Sequence, residues 1–313
     1  MSSRVRLYGA FAIVYLGWGS TYLAIRIALE TLPPFALGAV RFLTAGMGLY
    51  VFARLRGAES PTRLHWQNTG LTGLGMFLVG NGAVIWAERS VPSGIVALLI
   101  ATLPLVVAVM ETFLREKHEP LSPYSVVGLI GGLAGVALLV GPASSGGVPV
   151  FEMLLVLTGS VAWAFGSLYG RNMERPKSAA LTAAMQMTAG GVGLTMAAAL
   201  HGEWNHLAWE TYSLRSVAAV AYLTLVGSII AFTAYMWLFR NVPSDRASTY
   251  AYVNPVVAVA LGWVFYDEVV TGRTLVAGAV IVVSVGLTLT ARKLPVWWRR
   301  RDTCAASGRS PTL

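Results

Sequence analysis

WAERSVPSG (Trp86–Gly94) returns later in the chain as WLFRNVPSD (Trp237–Asp245), with Trp, Arg, Val, Pro and Ser in the same order and spacing. The second copy lies 151 positions after the first, and the same distance separates Pro104 from Pro255. Chance readily supplies one matching residue in an apolar chain, but not five in register. The repeated junction therefore predicts that the chain contains two copies of one ancestral unit.

The composition indicates which environment the two units occupy. Of the 313 residues, 56% are hydrophobic and 12% are charged, and the mean hydropathy is +0.64, whereas about a quarter of the residues of a soluble domain are charged. Apolar runs of about 20 residues, the length that spans a bilayer as a helix, recur along the chain. The runs do not alternate as barrel strands do. The sequence therefore predicts an all-α integral membrane protein.

The apolar runs predict ten transmembrane helices, which are joined by connections that carry proline, glycine or charge. In chain order the predicted spans are residues 8–29, 34–53, 68–87, 93–114, 123–140, 150–169, 180–201, 216–239, 246–266 and 272–291.

The basic residues predict the orientation of these spans. Eighteen of the 23 Lys and Arg residues fall on the side that holds both termini, and only Arg89, Arg215 and Arg273 fall on the other. The positive-inside rule places both termini in the cytoplasm. The net charge of +9 is thus interpreted as an orientation signal and an anchor to anionic lipid, and no nucleic-acid partner is predicted.

The two copies of the junction are five spans apart, and five is odd, so they face opposite sides of the membrane. The predicted fold is thus ten transmembrane helices arranged as two inverted five-helix repeats. Halves related in this way can expose a central site to each side in turn, with the substrate near the midplane. The predicted organisation is a cytoplasmic N-terminus at 1–7, repeats at 8–142 and 150–291, and a basic cytoplasmic tail at 292–313.

Charged and strongly polar side chains inside spans are costly, so their positions carry information. No Asp or Glu lies at mid-membrane, which argues against export of lipophilic cations and against simple carboxylate-coupled proton antiport. Arg41 lies about two turns into span two and either hydrogen-bonds a neighbouring helix or binds an anionic group. Asn81, in the sequence GNG, either lines a cavity or packs between helices.

Two prolines and several aromatic residues complete the set of candidate site residues. Pro104 and Pro255 each remove a backbone donor inside a span and free a carbonyl one turn earlier, so we interpret them as hinges. An aromatic, mildly polar cavity is expected if the candidates on spans one, six, eight and nine face inward. These candidates are Trp18, Tyr22, Trp163, Tyr235, Tyr252 and Asn254.

Catalytic and metal-binding chemistry has no positive signal in the sequence. The single cysteine, Cys304, lies in the polar tail, and the four histidines fall in connecting segments. No nucleophile–base pair and no glycine-rich phosphate loop stand out. We therefore predict a protein that is not an enzyme and that needs no metal or cofactor.

Span five carries two overlapping small-residue motifs, Gly128/Gly132 and Gly131/Gly135. This spacing permits close approach of another helix. Packing within one chain and dimerisation both account for it, so the predicted state is a monomer or a homodimer.

Several ordered strings together resemble the EamA family of the drug/metabolite transporter superfamily, and within it the YedA-type branch. The resemblance covers residues 7–291. It rests on WGSTYLAIRIALETLPP, VRFLTAG, GNGAV, VPSGIVALLIATLPL, SVAWAFGSLYG, GSIIAFTAYMWLFRNV and TYAYVNPVVAVALGW. It implies a ten-helix inner-membrane transporter with two inverted five-helix repeats, exporting amino acids and related metabolites. In such proteins spans one, three, four, six, eight and nine surround the cavity.

The resulting hypothesis is a secondary transporter, working as an exporter of a small metabolite such as an amino acid by alternating access. In it Trp18, Tyr22, Trp163, Tyr235 and Tyr252 wall the cavity, Asn81 and Asn254 supply hydrogen bonds, and Arg41 orients a carboxylate or only a neighbouring helix. The alternatives are a uniporter or facilitator, a broad-specificity drug exporter, and a non-transporting membrane scaffold or sensor. The solute, the direction and the energy coupling are left open.

Overall fold

The computed structural model of the chain describes residues 3–114, 123–140, 149–206, 211–241 and 250–291, and these residues contain helices and no strands. Within those ranges ten longer helical segments follow one another, four of them built from consecutive pieces, and a short 3-10 helix at Glu203–His206 follows the seventh. They are α1 (Ser3–Gly19 and Thr21–Ala28), α2 (Pro34–Leu55), α3 (Arg63–Gly73, Leu74–Asn81 and Gly82–Ala87), α4 (Ser93–Ile100 and Leu103–Leu114), α5 (Pro123–Val140), α6 (Val150–Asn172), α7 (Ala179–Leu200), α8 (Leu214–Tyr222, Leu223–Ile230 and Ala231–Asn241), α9 (Tyr250–Tyr266) and α10 (Gly272–Ala291).

Six of the helices in the described ranges are long and apolar enough to cross a membrane. They are Val5–Ala28, Pro34–Leu55, Arg63–Ala87, Val150–Gly170, Ala179–Leu200 and Leu214–Tyr235. Four shorter apolar helices accompany them, at Ser93–Val107, Val126–Leu138, Val253–Tyr266 and Gly272–Leu287. The all-helical class predicted from the apolar runs is confirmed, whereas the count of ten transmembrane spans stays a prediction.

Helix contacts repeat between the first five segments and the last five. The most extensive contacts join α2 to α7 and α5 to α10. In addition, α1 packs on α8 and α9, while α6 packs on α3 and α4. Exchanging each helix for the one five places away (α1 for α6, α8 for α3 and α9 for α4) converts the contacts of α1 into those of α6, so the two halves of the chain use equivalent faces.

Glycine lets the two most extensive contacts form at short range. A Cβ atom on Gly46 of α2 would lie 2.6 Å from Thr188 Oγ1 of α7. A Cβ atom on Gly135 of α5 would lie 2.7 Å from Ile281 Cγ1 of α10. The small-residue motif that ends at Gly135 therefore packs inside the chain at this position.

Two helix starts in the first half are capped by carboxylates from the second half. Glu203 follows α7 and accepts hydrogen bonds from the backbone amides of Phe35 (3.3 Å) and Ala36 (2.8 Å) in the first turn of α2. Glu268 follows α9 and accepts from the amides of Ser93 (2.7 Å) and Gly94 (3.1 Å) at the start of α4. A carboxylate stabilises a helix N-terminus by satisfying free amides and by opposing the helix dipole. Both caps lie at the predicted outer face, where the odd-numbered helices end.

α3 and α8 each contain a π-helical middle piece, Leu74–Asn81 and Leu223–Ile230. The pieces end on equivalent bonds, from the amide of Gly82 to the carbonyl of Phe77 and from the amide of Ala231 to the carbonyl of Val226. π-helices are rare and are frequent at functional sites. Their occurrence at matching positions of the two halves adds a structural repeat to the repeated junction.

The first copy of the junction, Trp86–Gly94, contains a tight turn. In this turn the amides of Ser90 and Val91 both donate to the carbonyl of Ala87. Its second copy lies outside the described residues beyond Asn241. The predicted basic tail at 292–313 and the segment 142–148 between the predicted repeats also lie outside them.

Candidate functional site

A cavity lies between eight of the helical segments, with α5 and α10 outside it. The cavity volume open to the centres of water molecules is about 150 Å³. This is roughly ten times the volume that one enclosed water needs. Its wall carries most of the side chains selected from the sequence. The lining residues are Trp18, Thr21, Tyr22, Ile25, Arg41, Phe42, Phe77, Gly80, Asn81, Val84, Ala97, Ile100, Ala101, Leu103, Pro104, Gly159, Ser160, Trp163, Met187, Gly227, Ser228, Phe232, Tyr250, Asn254 and Pro255.

Trp18 and Trp163 occupy equivalent places in the wall. Each tryptophan lies against the π-helical piece of the opposite half. The indole N–H of Trp18 donates to the carbonyl of Gly227 in α8 across 3.0 Å. The ring of Trp163 meets that of Phe77 in α3 edge-on, with centroids 5.7 Å apart. The two aromatic anchors therefore hold the regions where the helices depart from regular geometry.

Arg41 is the cation in the wall, and 5% of its surface is exposed. Its Nε donates to the hydroxyl of Ser228 on α8 at 3.0 Å, and its guanidinium lies 4.7 Å from the ring centroid of Phe42. Gly227 leaves room for Nη2, which a Cβ atom there would approach to 3.3 Å. Nη1 is buried and has no hydrogen-bond partner among the described residues. The sequence allows Arg41 either to bridge helices or to bind an anionic group. The helix-bridging hydrogen bond is present, and Nη1 remains as a donor without a partner among the described residues.

Asn81 and Asn254 line the cavity from α3 and α9. The amide nitrogen of Asn81 lies 3.4 Å from the carbonyl of Met76 within the π-helical piece. Asn254 is 7% exposed, and its Oδ1 has no hydrogen-bond partner in the described structure. A buried amide oxygen that lacks a donor is costly, so Asn254 presents an unused acceptor at the cavity.

The predicted tyrosines divide into three cases. Tyr22 lines the cavity, as expected. Tyr235 does not line the cavity but packs against two residues that do. Its ring centroid lies 4.8 Å from that of Trp18 and 5.6 Å from that of Tyr250. Tyr250, two residues before Tyr252 on α9, lines the cavity although the sequence hypothesis did not select it. The side chain of Tyr252 lies outside the described part of the structure.

Pro104 and Pro255 both line the cavity, but their helices differ. α4 is broken at residues 101–102, directly before Pro104, and the amide and hydroxyl of Thr102 both donate to the carbonyl of Leu99 (3.1 and 2.7 Å). α9 continues through Pro255. The two prolines predicted as hinges therefore stand beside the same cavity in a broken helix and a continuous one.

Some wall and neighbouring residues were not selected from the sequence. Gly227 and Ser228 are small residues inside an apolar run, and only the fold shows that they hold Trp18 and Arg41. Glu88 follows the last turn of α3, yet none of its surface is exposed and both carboxylate oxygens are buried. The lack of Asp and Glu at mid-membrane therefore does not mean that the chain lacks a buried carboxylate. The position of Glu88 after the last turn of α3 did not reveal that the following turn folds against α1.

Across the described ranges, no group of three or more His, Cys, Asp or Glu side chains is arranged to hold a metal ion.

Family comparison gives two matches, one in each half of the chain. The model of the EamA-like transporter family matches residues 7–141 and again residues 150–290. These ranges contain every residue of the cavity wall described above.

Curated relatives align over nearly the full length. The chain is 42% identical over 289 residues to the "Uncharacterized inner membrane transporter YedA" of Escherichia coli K12, covering 92% of each protein. It is 26% identical over 298 residues to "Protein PagO" of Salmonella typhimurium, covering 93% of this chain and 95% of that one. A crystal structure of a protein with 22% identity shares the fold at a TM-score of 0.63, covering 94% of this chain and 100% of that one.

Proposed function

Because the chain belongs to the EamA-like transporter family, we propose that it carries a small solute bearing a carboxylate group, such as an amino acid, across the inner membrane. The carrier is a secondary transporter, and export is the direction that the sequence resemblance implies. It works by alternating access of two inverted five-helix repeats, with the solute in the cavity between them.

The observation that carries this proposal is the unpartnered Nη1 of Arg41 in the cavity wall. A guanidinium is always charged and binds carboxylates through planar, paired donors. Ser228 holds Nε, and Phe42 supports the flat face of the group, so its orientation is set before a solute arrives. The free nitrogen then becomes a donor for one solute oxygen.

The rest of the wall suits the remainder of an amino acid. Asn254 offers its amide oxygen to an ammonium group, because that oxygen has no donor within the described residues. Trp18, Tyr22 and Trp163 surround the cavity with aromatic faces, which attract cations and pack against apolar side chains. A zwitterion thus finds complementary groups at both charged ends.

The pattern of helix contacts supports the alternating-access mechanism. The contacts of α1 with α8 and α9 have counterparts in the contacts of α6 with α3 and α4. Equivalent contacts allow the two halves to exchange conformations without changing the set of packed surfaces. The prolines of α4 and α9 border the cavity where such an exchange requires bending.

Solute counterflow in proteoliposomes tests the proposed function. Vesicles holding the purified full chain are loaded with unlabelled proteinogenic L-amino acids and diluted into a tritiated mixture of the same compounds. We expect transient accumulation of label, and we expect Arg41→Met to abolish it. Arg56→Met is the matched control, because Arg56 is exposed, lies over Phe52 and does not line the cavity.

A membrane scaffold or sensor would give no counterflow with any solute. A drug exporter would give counterflow with a lipophilic cation such as tetraphenylphosphonium and not with the amino-acid mixture. Accumulation of amino-acid label that survives Arg41→Met would contradict the assignment of Arg41 as the carboxylate ligand.

A further inference from the structure

Glu88, which follows the last turn of α3, is a carboxyl group sealed inside the protein. None of its surface is exposed, and neither carboxylate oxygen has a hydrogen-bond partner among the described residues. Its backbone carbonyl accepts a hydrogen bond from Arg26 Nη1, which ties the end of α3 to α1. An ionised carboxylate without water or donors is expensive, so a site of this kind favours the protonated form.

Four charged or titratable side chains interact electrostatically with Glu88. Tyr22 and Arg26 belong to α1, Arg41 belongs to α2, and Glu268 follows α9. The start of α4 brings the uncharged Ser93, whose hydroxyl is buried without a partner in the described structure.

The two carboxylates of this cluster differ in their hydrogen bonds. Glu268 accepts from two backbone amides at the start of α4, whereas the carboxylate of Glu88 accepts from none. Donors stabilise the ionised form of a carboxyl group, and a nearby like charge disfavours a second ionisation. Of the two carboxyl groups, Glu88 is therefore the one whose surroundings favour binding of a proton.

Two of the four neighbours connect Glu88 to the cavity, because Tyr22 and Arg41 also line it. A solute carboxylate bound to Arg41 offsets a positive charge that would otherwise stabilise ionised Glu88. It also adds a negative charge close by, so the proton affinity of Glu88 rises when the solute binds. By reciprocity, protonation of Glu88 tightens solute binding by the same factor.

We propose that Glu88 is a proton-binding site, and that its proton is carried in the same direction as the carboxylate solute, so that in export the outward solute gradient drives both across the membrane. The inference rests on the proposed function. The proton leaves water on one side, forms the O–H bond of the carboxyl group, and returns to water on the other side after the solute has left Arg41. No electrons are transferred, and Glu88 regains its starting form once per cycle.

Counterflow and proton flux, measured in the same vesicles, test the coupling. A pH-sensitive dye trapped in the lumen reports proton entry when the amino-acid mixture is added outside. In the wild type we expect proton entry, with solute affinity falling by up to about tenfold per pH unit above the titration of Glu88, the limit for one linked proton. In Glu88→Gln we expect counterflow to persist while proton entry and the pH dependence disappear.

Two further variants test whether a loss of proton entry in Glu88→Gln comes from the missing proton site or from a general disturbance of the structure around it. Glu30→Gln makes the same change to a partly exposed carboxylate, which lies 3.4 Å from Arg215, and it should behave like the wild type. Glu88→Asp retains a titratable group, and it should restore proton entry. Wild-type counterflow without proton entry, or proton entry that persists in Glu88→Gln, overturns the coupling and leaves the proposed function standing.

Infrared difference spectroscopy tests the proton site without any solute. The carbonyl band of a protonated carboxyl group should be present in the wild type at neutral pH, diminish on alkalinisation, and be missing from Glu88→Gln. Identical spectra for the two proteins overturn the proton site. Absence of counterflow in the wild type overturns the proposed function instead, so the two failures are distinguishable.

Discussion

The guanidinium of Arg41 donates from Nε to the hydroxyl of Ser228 across 3.0 Å, joining α2 to α8 over 187 positions of chain. In the second half, Gln186 makes a comparable bridge between α7 and α3: its Nε2 donates to Thr72 Oγ1 across 2.9 Å. The two bridges are not at equivalent heights, because Ser228 lies within the π-helical piece of α8 whereas Thr72 precedes that of α3. Arg41 carries a charge and Gln186 does not, so the proposed carboxylate ligand belongs to the first half alone.

Replacing Ser228 by alanine tests the bridge. The buried guanidinium would lose its acceptor, and we expect the free energy of unfolding to fall by about 1–3 kcal/mol. We also expect weaker solute binding, because Arg41 is then free to turn. Thermal unfolding in detergent and counterflow at several solute concentrations measure the two effects. The control on the same helix is Thr233→Val, because the Thr233 hydroxyl bonds only its own helix; equal losses in both variants would argue against a special role for the bridge.

Replacing Asn254 by leucine should separate stability from function. Asn254 Oδ1 is buried without a partner in the described structure, so removing it relieves an unfavourable burial and should leave thermal unfolding unchanged or slightly higher. Counterflow of the amino-acid mixture should nevertheless fall about tenfold or more, the effect of losing about 1.4 kcal/mol of binding. Asn241→Leu, at an exposed amide that bonds its own helix, serves as the control. A loss of both stability and transport would identify Asn254 as a structural residue.

The positions that were predictable from the sequence are those whose chemistry is local. Tryptophan and proline inside apolar runs stand out by residue type, and Trp18, Trp163, Pro104 and Pro255 all line the cavity. That Tyr250 lines the cavity, whereas Tyr235 does not, depends on how α8 and α9 are rotated about their axes. Helices with apolar residues on all sides carry no sequence signal for that rotation.

Long-range partners were not predictable from the chain alone. Glu203 and Glu268 occupy connections that look solvent-facing in the sequence, and only the fold brings them to the N-termini of α2 and α4. The burial of Glu88 escapes the sequence for a related reason. Distance from a helix end predicts depth in a bilayer, but it does not predict whether neighbouring helices cover the residue.

The two carboxylate caps provide a matched pair of variants. Glu203→Gln and Glu268→Gln each remove a charge that faces two helix-start amides, and each should cost about 0.5–2 kcal/mol of stability. Only Glu268 interacts electrostatically with Glu88. Its loss eases ionisation of Glu88, so the pH at which solute affinity falls should move to a lower value. Glu203→Gln should leave that pH unchanged, and an equal shift in both variants would contradict the pairing of Glu268 with Glu88.

Gly135 tests the packing of α5 on α10. In Gly135→Val the new side chain meets Ile281 at a distance that real Cβ contacts do not adopt, and overpacking of this kind costs about 1–3 kcal/mol. Gly48→Val makes the same change where a Cβ atom has no neighbour within 4 Å, so it should change thermal unfolding far less. If Gly135 instead served a dimer, its variant would lower the mass measured by light scattering and leave the unfolding temperature of the monomer unchanged.

Because α4 is broken before Pro104, we expect this proline to be the stronger of the two proposed hinges. In Pro104→Ala the restored amide can donate to the carbonyl of Ile100 and join the two pieces of α4, which adds one hydrogen bond of about 1 kcal/mol that opening must disrupt. We expect counterflow about fivefold slower at saturating solute, with an unchanged half-saturating concentration. Pro255→Ala should have a smaller effect, because α9 is already continuous through that position. Equal slowing in both variants would show instead that the prolines act alike and that the break in α4 is incidental.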